Sequence, residues 1–252
     1  MRYLLAPIFL IYKLWIGLVF WVTLALLYPL FLVLLSKKEW YPRAFALKRY
    51  WSYSFQLLLL CPVMASFRAP LPKSPYIIVS NHSSYLDTVF MYSVFKDYFL
   101  FVGKGELLKW PMFSRFFKTM DIPVERENSV KAWDALQKAY EALERGECIA
   151  MYPEGTIPRD APRMKAFKNG AFRMSVDKNV PVVPVTWLRN SKVMLDPSQL
   201  FSFSLPQQIL VVVHPPVYPL GKDLEDVVNL RSRVFDMIDS ALPPQYRSKN
   251  EN

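Results

Sequence analysis

The chain has 252 residues, 52% of them hydrophobic, and a formal net charge of +10. That length allows one sizeable core with a small appendage. Two cysteines and two histidines, set apart without ligand spacing, argue against a zinc centre or a disulfide framework and fit a reducing compartment.

The first element is apolar. From Leu14 to Leu35 there is no charged residue, and as an α-helix this stretch is about 33 Å long, close to the thickness of a bilayer's hydrocarbon core. It is too long for the apolar part of a cleaved leader, and no small-residue cleavage site follows it. A basic, aromatic segment comes next, with Lys37, Lys38, Trp40, Tyr41, Arg43, Lys48, Arg49, Tyr50, Trp51 and Tyr53. Trp and Tyr favour the headgroup level, and Lys and Arg attract anionic lipid. The positive charge is therefore assigned to an anionic membrane, with no role for nucleic acid. A second apolar patch, Phe55 to Phe67, is too short to span and is broken by Pro62. The pattern predicts a membrane-docking helical hairpin over residues 1–65. Arg2, Lys13, Lys37 and Lys38 bracket its long helix, which favours a hairpin with residue 1 on the cytoplasmic side over a single span.

From about Ser74 the pattern changes to α/β. Apolar runs at 76–80, 98–102, 147–152, 181–187 and 208–214 read as strands. Helical spacing appears between them, most clearly over Ser129 to Glu144, with Val130, Trp133, Leu136, Tyr140 and Leu143 on one face, and over Lys222 to Leu242, with Leu224, Val227, Val228, Val234 and Ile238. Near-continuous apolar strands imply a sheet covered on both faces. The expectation is an α/β domain over 66–246, with a central, mostly parallel or mixed sheet between helices, and a flexible tail over 247–252.

One polar corner carries the chemistry. Asn81-His82-Ser83-Ser84-Tyr85-Leu86-Asp87 follows the strand at 76–80 and precedes a helical pattern. Strand-to-helix corners expose side chains at the sheet edge where ligands bind. A histidine held by a carboxylate can take a proton from a hydroxyl, and no Gly-x-Ser-x-Gly elbow accompanies it. Ser84-x-x-Asp87 also has capping-box spacing, which would make the aspartate a helix-start residue and His82 an ordinary turn residue.

Three further segments follow. Asp121-Ile122-Pro123-Val124-Glu125-Arg126 delivers an arginine after a short apolar stretch; Met151-Tyr152-Pro153-Glu154-Gly155-Thr156 ends a strand in a turn and leads to Arg159, Lys165 and Lys168; Val180-Pro181-Val182-Val183-Pro184-Val185 is a proline-bounded strand. In order and approximate spacing, these segments and the His82 corner resemble the four blocks of the glycerolipid acyltransferase family, particularly its bacterial 1-acylglycerol-3-phosphate acyltransferases, over about residues 75–187. The resemblance implies an O-acyltransferase that forms phosphatidic acid, with His82 as base and Asp87 as its orienting carboxylate. It implies that Arg126 meets the acceptor's phosphate, that Glu154 and Gly155 shape the acceptor site, and that Pro184 belongs to an acyl-binding wall or to structure. Lys104, Thr156, Arg159 and Lys168 complete the expected substrate site. No bound cofactor or metal is implied; the co-substrate is the thioester of acyl carrier protein or of coenzyme A, and the partner is a lysolipid. The implied location is a bacterial inner membrane with the catalytic domain facing the cytoplasm. The third block departs from the family where Ile157 replaces a common arginine, and Glu125 stands where aspartate is common. These departures leave open a different lysolipid, or an amino-acid-linked lipid, as acceptor. A hydrolase using the same pair and a non-catalytic membrane-binding module are the readings from other classes.

Overall fold

A computed structural model describes residues 5–105, 111–124, 129–194 and 202–248. The chain opens with two long helices, α1 (Ala6–Leu34) and α2 (Tyr41–Leu59). They pack antiparallel, because Tyr12 Oη donates to Leu59 O at 2.8 Å while Trp51 Nε1 donates to Thr23 Oγ1 at 2.8 Å. The expected hairpin is present. In α2 the buried positions are Ala44, Phe45, Lys48, Trp51, Ser52, Phe55, Gln56 and Leu59, a three-four spacing that gives one inward stripe. In α1 a buried stripe from Phe9 to Phe31 faces the protein, while Ile8, Ile11, Leu14, Trp15, Leu18, Trp21, Val22, Leu26, Leu30 and Val33 are exposed.

The remainder builds one seven-stranded sheet with helices on both faces. Strand β1 (Val63–Phe67) follows the hairpin, then β2 (Ile77–Ser80), α3 (Leu86–Val94), β3 (Phe99–Lys104), α4 (Pro111–Thr119), β4 (Ile122–Val124), α5 (Ser129–Glu144), β5 (Cys148–Met151), α6 (Gly170–Lys178), β6 (Val182–Trp187), the short α7 (Asn190–Val193), β7 (Ile209–Val213) and α8 (Leu224–Ala241). The order across the sheet is β1-β7-β6-β2-β5-β3-β4. Five strands from β6 to β4 are mutually parallel, β7 runs against β6, and β1 runs parallel to β7. The sheet is therefore mixed. The boundary expected at residue 65 falls inside β1, which is already part of the sheet.

Alternation along each strand divides the core in two. Ile78, Phe99, Phe101, Ala150, Val183 and Val185 face a cluster shared with α1, α2 and α3. Ile77, Val79, Leu100, Ile149 and Val182 face a cluster under α5, α6 and α8. Two helix faces agree only in part with those the periodicity predicts. In α5 Ala135, Ala139, Ala142 and Leu143 are buried, Leu136 and Tyr140 pack against them half-buried, and Trp133 is exposed; in α8 Val227, Leu230, Val234 and Ile238 are buried, and Leu224 and Val228 are exposed. Alanine lets a helix lie close to a sheet, so the small residues of α5 face inward and its large aromatic turns out. At the C-terminus, Ser248 N donates to Asp239 Oδ1 at 2.9 Å and Arg247 Nε to Leu242 O at 2.8 Å. These two residues of the expected tail are tied to α8.

Candidate active site

The loop between β2 and α3 leaves the carboxyl edge of the parallel strands, and His82 stands in it. Its ring is 18% exposed and its Nδ1 lies 3.0 Å from Asp87 Oδ2, whose side chain is fully buried. A carboxylate only accepts, so Nδ1 carries the proton and Nε2 keeps a lone pair. The same Oδ2 accepts the backbone N–H of Ser83 at 2.6 Å and of Ser84 at 2.9 Å. Ser84 Oγ accepts Leu86 N–H at 3.1 Å and donates to Met194 O. Of the capping-box bonds only the one from Ser84 N–H to Asp87 Oδ2 is made, since Ser84 Oγ serves Leu86 N–H; that bond coexists with the His–Asp pair and helps to hold the carboxylate in place.

The third block comes from the other side. Glu154, buried beyond the end of β5, accepts His82 N–H on Oε1 at 2.7 Å and Lys165 N–H on Oε2 at 2.8 Å. Glu154 therefore joins the backbone of His82 to the loop that follows β5. Gly155 closes this turn with φ +80°, a conformation that favours glycine, and its N–H donates to Tyr152 O at 3.0 Å. The Tyr152 ring stacks on the His82 ring at 4.1 Å with 13° between planes. Tyr152 was not singled out by sequence, although it stands two residues before Glu154.

The expected substrate residues divide into three groups. His82, Asp87 and Glu154 meet directly. Gly155, Thr156, Arg159 and Lys168 lie on the loop between β5 and α6; Thr156, Arg159 and Lys168 are exposed, and none of these three bonds to the His–Asp pair. Lys104 ends β3, with its side chain outside the described set, and Arg126 lies outside the described residues. One further residue reaches the pair from far along the chain: Asn190, fully buried, places Nδ2 at 2.6 Å from Asp87 Oδ1. Its sequence signal is a polar residue just past the carboxyl end of a parallel strand, on the edge that carries His82. The second histidine, His214, is buried against Thr186 at 2.8 Å, and its residue follows the far end of β7.

Burial pushes the Glu154 carboxyl up to about 7, against the two backbone donors that favour its ionised form. The group is near 4.5 when exposed, so between these values the folded protein holds a proton that the unfolded chain releases. Stability from this group falls as pH rises from 4.5 to 7 and is level above, by up to about 3 kcal/mol. His214, lowered to about 4 by desolvation, gives the opposite slope between about 4 and 6.5, so the wild-type curve mixes the two. Glu154→Gln should remove the Glu154 part alone. Denaturant unfolding at pH 5 and pH 7.5 should give a wild-type-minus-variant difference that declines with pH; a constant difference would mean that Glu154 stays ionised throughout.

An open α/β sheet with a histidine–carboxylate pair at the carboxyl edge of its parallel strands suits proton transfer from a substrate hydroxyl. Residues 64–187 match the family model described as Acyltransferase, and this domain belongs to that family. The chain is 30% identical over 156 residues to the chloroplastic 1-acyl-sn-glycerol-3-phosphate acyltransferase BAT2 of Brassica napus, covering 62% of this chain and 44% of that one. It is 27% identical over 167 residues to the 1-acyl-sn-glycerol-3-phosphate acyltransferase of Borreliella burgdorferi, covering 66% and 65%. A third relative, the 1-acyl-sn-glycerol-3-phosphate acyltransferase of Chlamydomonas reinhardtii, is 31% identical over 183 residues, covering 70% and 51%. The chain thus spans about half the length of its plant and algal relatives. The crystal structure of the 1-acyl-sn-glycerophosphate acyltransferase PlsC from Thermotoga maritima shares the fold, with a TM-score of 0.67 and 23% identity over 94% of this chain and 95% of that one.

Proposed function

We propose that this chain moves a fatty acyl group from an acyl thioester to the free sn-2 hydroxyl of 1-acyl-glycerol-3-phosphate, giving phosphatidic acid. The carrying observation is the His82–Asp87 pair, with Nδ1 engaged and Nε2 left to accept. His82 takes the hydroxyl proton as that oxygen attacks the thioester carbonyl. Asp87 stabilises the imidazolium that forms. When the tetrahedral intermediate collapses, the C–S bond breaks and the departing sulfur recovers the proton, so His82 ends neutral. With the Gly155 N–H taken by Tyr152 O, the proposed donors to the oxyanion are the Thr156 N–H or those of the helix start after His82. Lys104, Arg126, Arg159 and Lys168 are the proposed phosphate ligands; arginine suits the task because its fork binds two oxygens. The donor is acyl carrier protein or coenzyme A, both acidic and suited to a basic surface.

Purified protein given an acyl thioester and a panel of lysolipids, read by mass spectrometry, should yield phosphatidic acid from 1-acyl-glycerol-3-phosphate. Ile157, at a place where the family commonly has arginine, is the reason to include other headgroups. Product from another lysolipid alone would move the assignment within the family. Free fatty acid formed at the same rate without acceptor would make the chain a hydrolase.

The hairpin supports a membrane-docked enzyme. Lys13, the one charged residue within α1, is buried and donates to Ser202 Oγ at 2.6 Å, leaving the outward face apolar. Near its start α1 packs Phe9 against Phe203 with ring centres 5.1 Å apart, and near its end Phe31 meets Phe116 edge-to-face at 4.9 Å. A helix seated on the domain along its length favours burial of one face in one leaflet over a perpendicular span. Apolar burial at about 25 cal/mol per Å² holds such a face against salt. High salt should leave the protein with membranes and detergent should release it. A cysteine at position 2 should be labelled from the same side as one at position 222; shielding of the first alone would establish a span.

A further inference from the structure

We propose that Asn190 is a positioning residue for the base, acting through Asp87; this rests on the acyl-transfer reading for its consequence on rate. The two oxygens of Asp87 are held differently. Oδ2 is loaded by its own loop, from His82 Nδ1 and from the N–H groups of Ser83 and Ser84. Oδ1 has one close partner, the Asn190 amide at 2.6 Å, with Ser83 Oγ further off at 3.5 Å. A carboxylate turns easily about its last torsion, which is broad and two-fold. Bonds to Oδ2 alone leave that turn open. The Asn190 bond closes it and so fixes the plane of the carboxylate.

That plane matters because a donor prefers to approach a carboxylate oxygen within it. With the carboxylate plane set by Asn190 and the ring plane set by stacking on Tyr152, the imidazole has one orientation, and the lone pair on Nε2 has one direction. The seat of Asn190 is itself tied to the His82 loop. Asn81 Oδ1 accepts Trp187 N–H at 2.8 Å and its Nδ2 donates to Trp187 O at 3.1 Å. Ser84 Oγ donates to Met194 O. The end of β6 and the α7 turn are therefore pinned to residues 81–87 on both sides of Asn190. The chemistry of the side chain also fits. A neutral amide stabilises the ionised carboxylate without adding a cation that would oppose the imidazolium, as arginine or lysine would.

Removing the amide leaves Asp87 with fewer donors to its charged form, so it draws the imidazolium proton more strongly. The titration of His82 should then move to higher pH, and with it the acidic limb of kcat/KM. The chain has two histidines, so both imidazoles can be followed by NMR in the full-length, isotope-labelled protein, with His82→Ala giving the assignment. Asn190→Ala should shift the His82 titration upward, lower kcat by about 10- to 100-fold and leave the acceptor KM within about twofold of wild type. Asn190→Ser keeps a hydroxyl in the buried site while withdrawing the amide arm, and should give the same direction if the alanine variant does not fold. An unmoved His82 titration with unchanged kcat in a folded variant overturns the proposal. A wild-type protein that transfers no acyl group to any lysolipid overturns the functional reading instead; the NMR shift then decides the positioning role alone.

Discussion

His82→Ala is expected to lose acyl transfer by about a thousandfold or more while keeping the fold, because general-base assistance of this kind contributes about 10²–10⁴ and the proposed chemistry uses no other base. The ring lies at the edge of the core, 18% exposed, so its removal leaves a small surface gap, and the buried Asp87 carboxylate keeps its bonds from Ser83, Ser84 and Asn190. Asp87→Asn should cost a comparable factor for a different reason. Asp87 accepts from His82, Ser83, Ser84 and Asn190 at once. An amide has one accepting oxygen, so its NH₂ must oppose one set of donors. If the oxygen stays with the two backbone N–H groups, the NH₂ meets the Asn190 amide; if it turns, the NH₂ faces the loop and favours the wrong imidazole tautomer. Initial rates with acyl thioester and 1-acyl-glycerol-3-phosphate, beside thermal melts of both variants, measure this. A folded His82→Ala protein with a rate within threefold of wild type would sink the mechanism.

Lys48→Met is expected to be the most destabilising single change in the hairpin, by about 3–5 kcal/mol, the usual cost of removing one partner of a buried ion pair. Lys48 is buried in α2, with Nζ 2.9 Å from Asp121 Oδ2 and 3.0 Å from Tyr92 Oη, above the rings of Tyr92 and Phe116. Asp121 uses its other oxygen to accept Phe101 N–H at 3.0 Å, so it cannot simply turn toward solvent. The cluster joins the hairpin, α3, α4 and the β3 edge in one charged node. Methionine restores most of the volume, which confines the effect to the orphaned carboxylate. The double variant Lys48→Met/Asp121→Asn should recover a large part of the loss, since the asparagine oxygen still serves Phe101. Urea unfolding in detergent measures both; a single-variant loss below 1 kcal/mol would show that the carboxylate finds water.

The sequence carries the local parts of this protein well and the distant ones poorly. Strands β2, β3, β5, β6 and β7 lie on apolar runs, and each lies within two residues of its expected bounds at either end. β1 was hidden because the apolar end of α2 runs into it through Pro62, and β4 because it has three residues with a proline between them. His82, Asp87 and Glu154 were legible as two short motifs, each complete within its own turn. Asn190 was not, because it lies 103 residues from Asp87 and only the β2–β6 pairing brings the two loops together. On α5 the inward alanines were passed over for larger residues, and on α8 Leu230 was missed while the exposed Leu224 and Val228 were counted inward. A tally of hydrophobicity sees Trp133, but the close approach of helix to sheet is set by Ala135, Ala139 and Ala142.

The place of β1 bears on how the molecule is made. A ribosome delivers α1, α2 and β1 before the rest of the sheet, yet the strand that pairs with β1 is β7, which follows the other six in the chain. Until then β1 offers an open row of backbone groups, with Met64 and Phe67 half-exposed even in the finished protein, which is the kind of edge that recruits wrong partners. The parallel block from β6 to β4 can assemble without it. On loop-closure grounds β7 would then fold back against β6 and β1 would dock last, since its pairing closes a very long loop. On the proposed docking, a hairpin resting early in lipid would keep the waiting strand close to the growing sheet and apart from other chains. A nascent chain stopped before residue 209 would then hold the proposed membrane grip and lack the strand that joins the hairpin to the catalytic core.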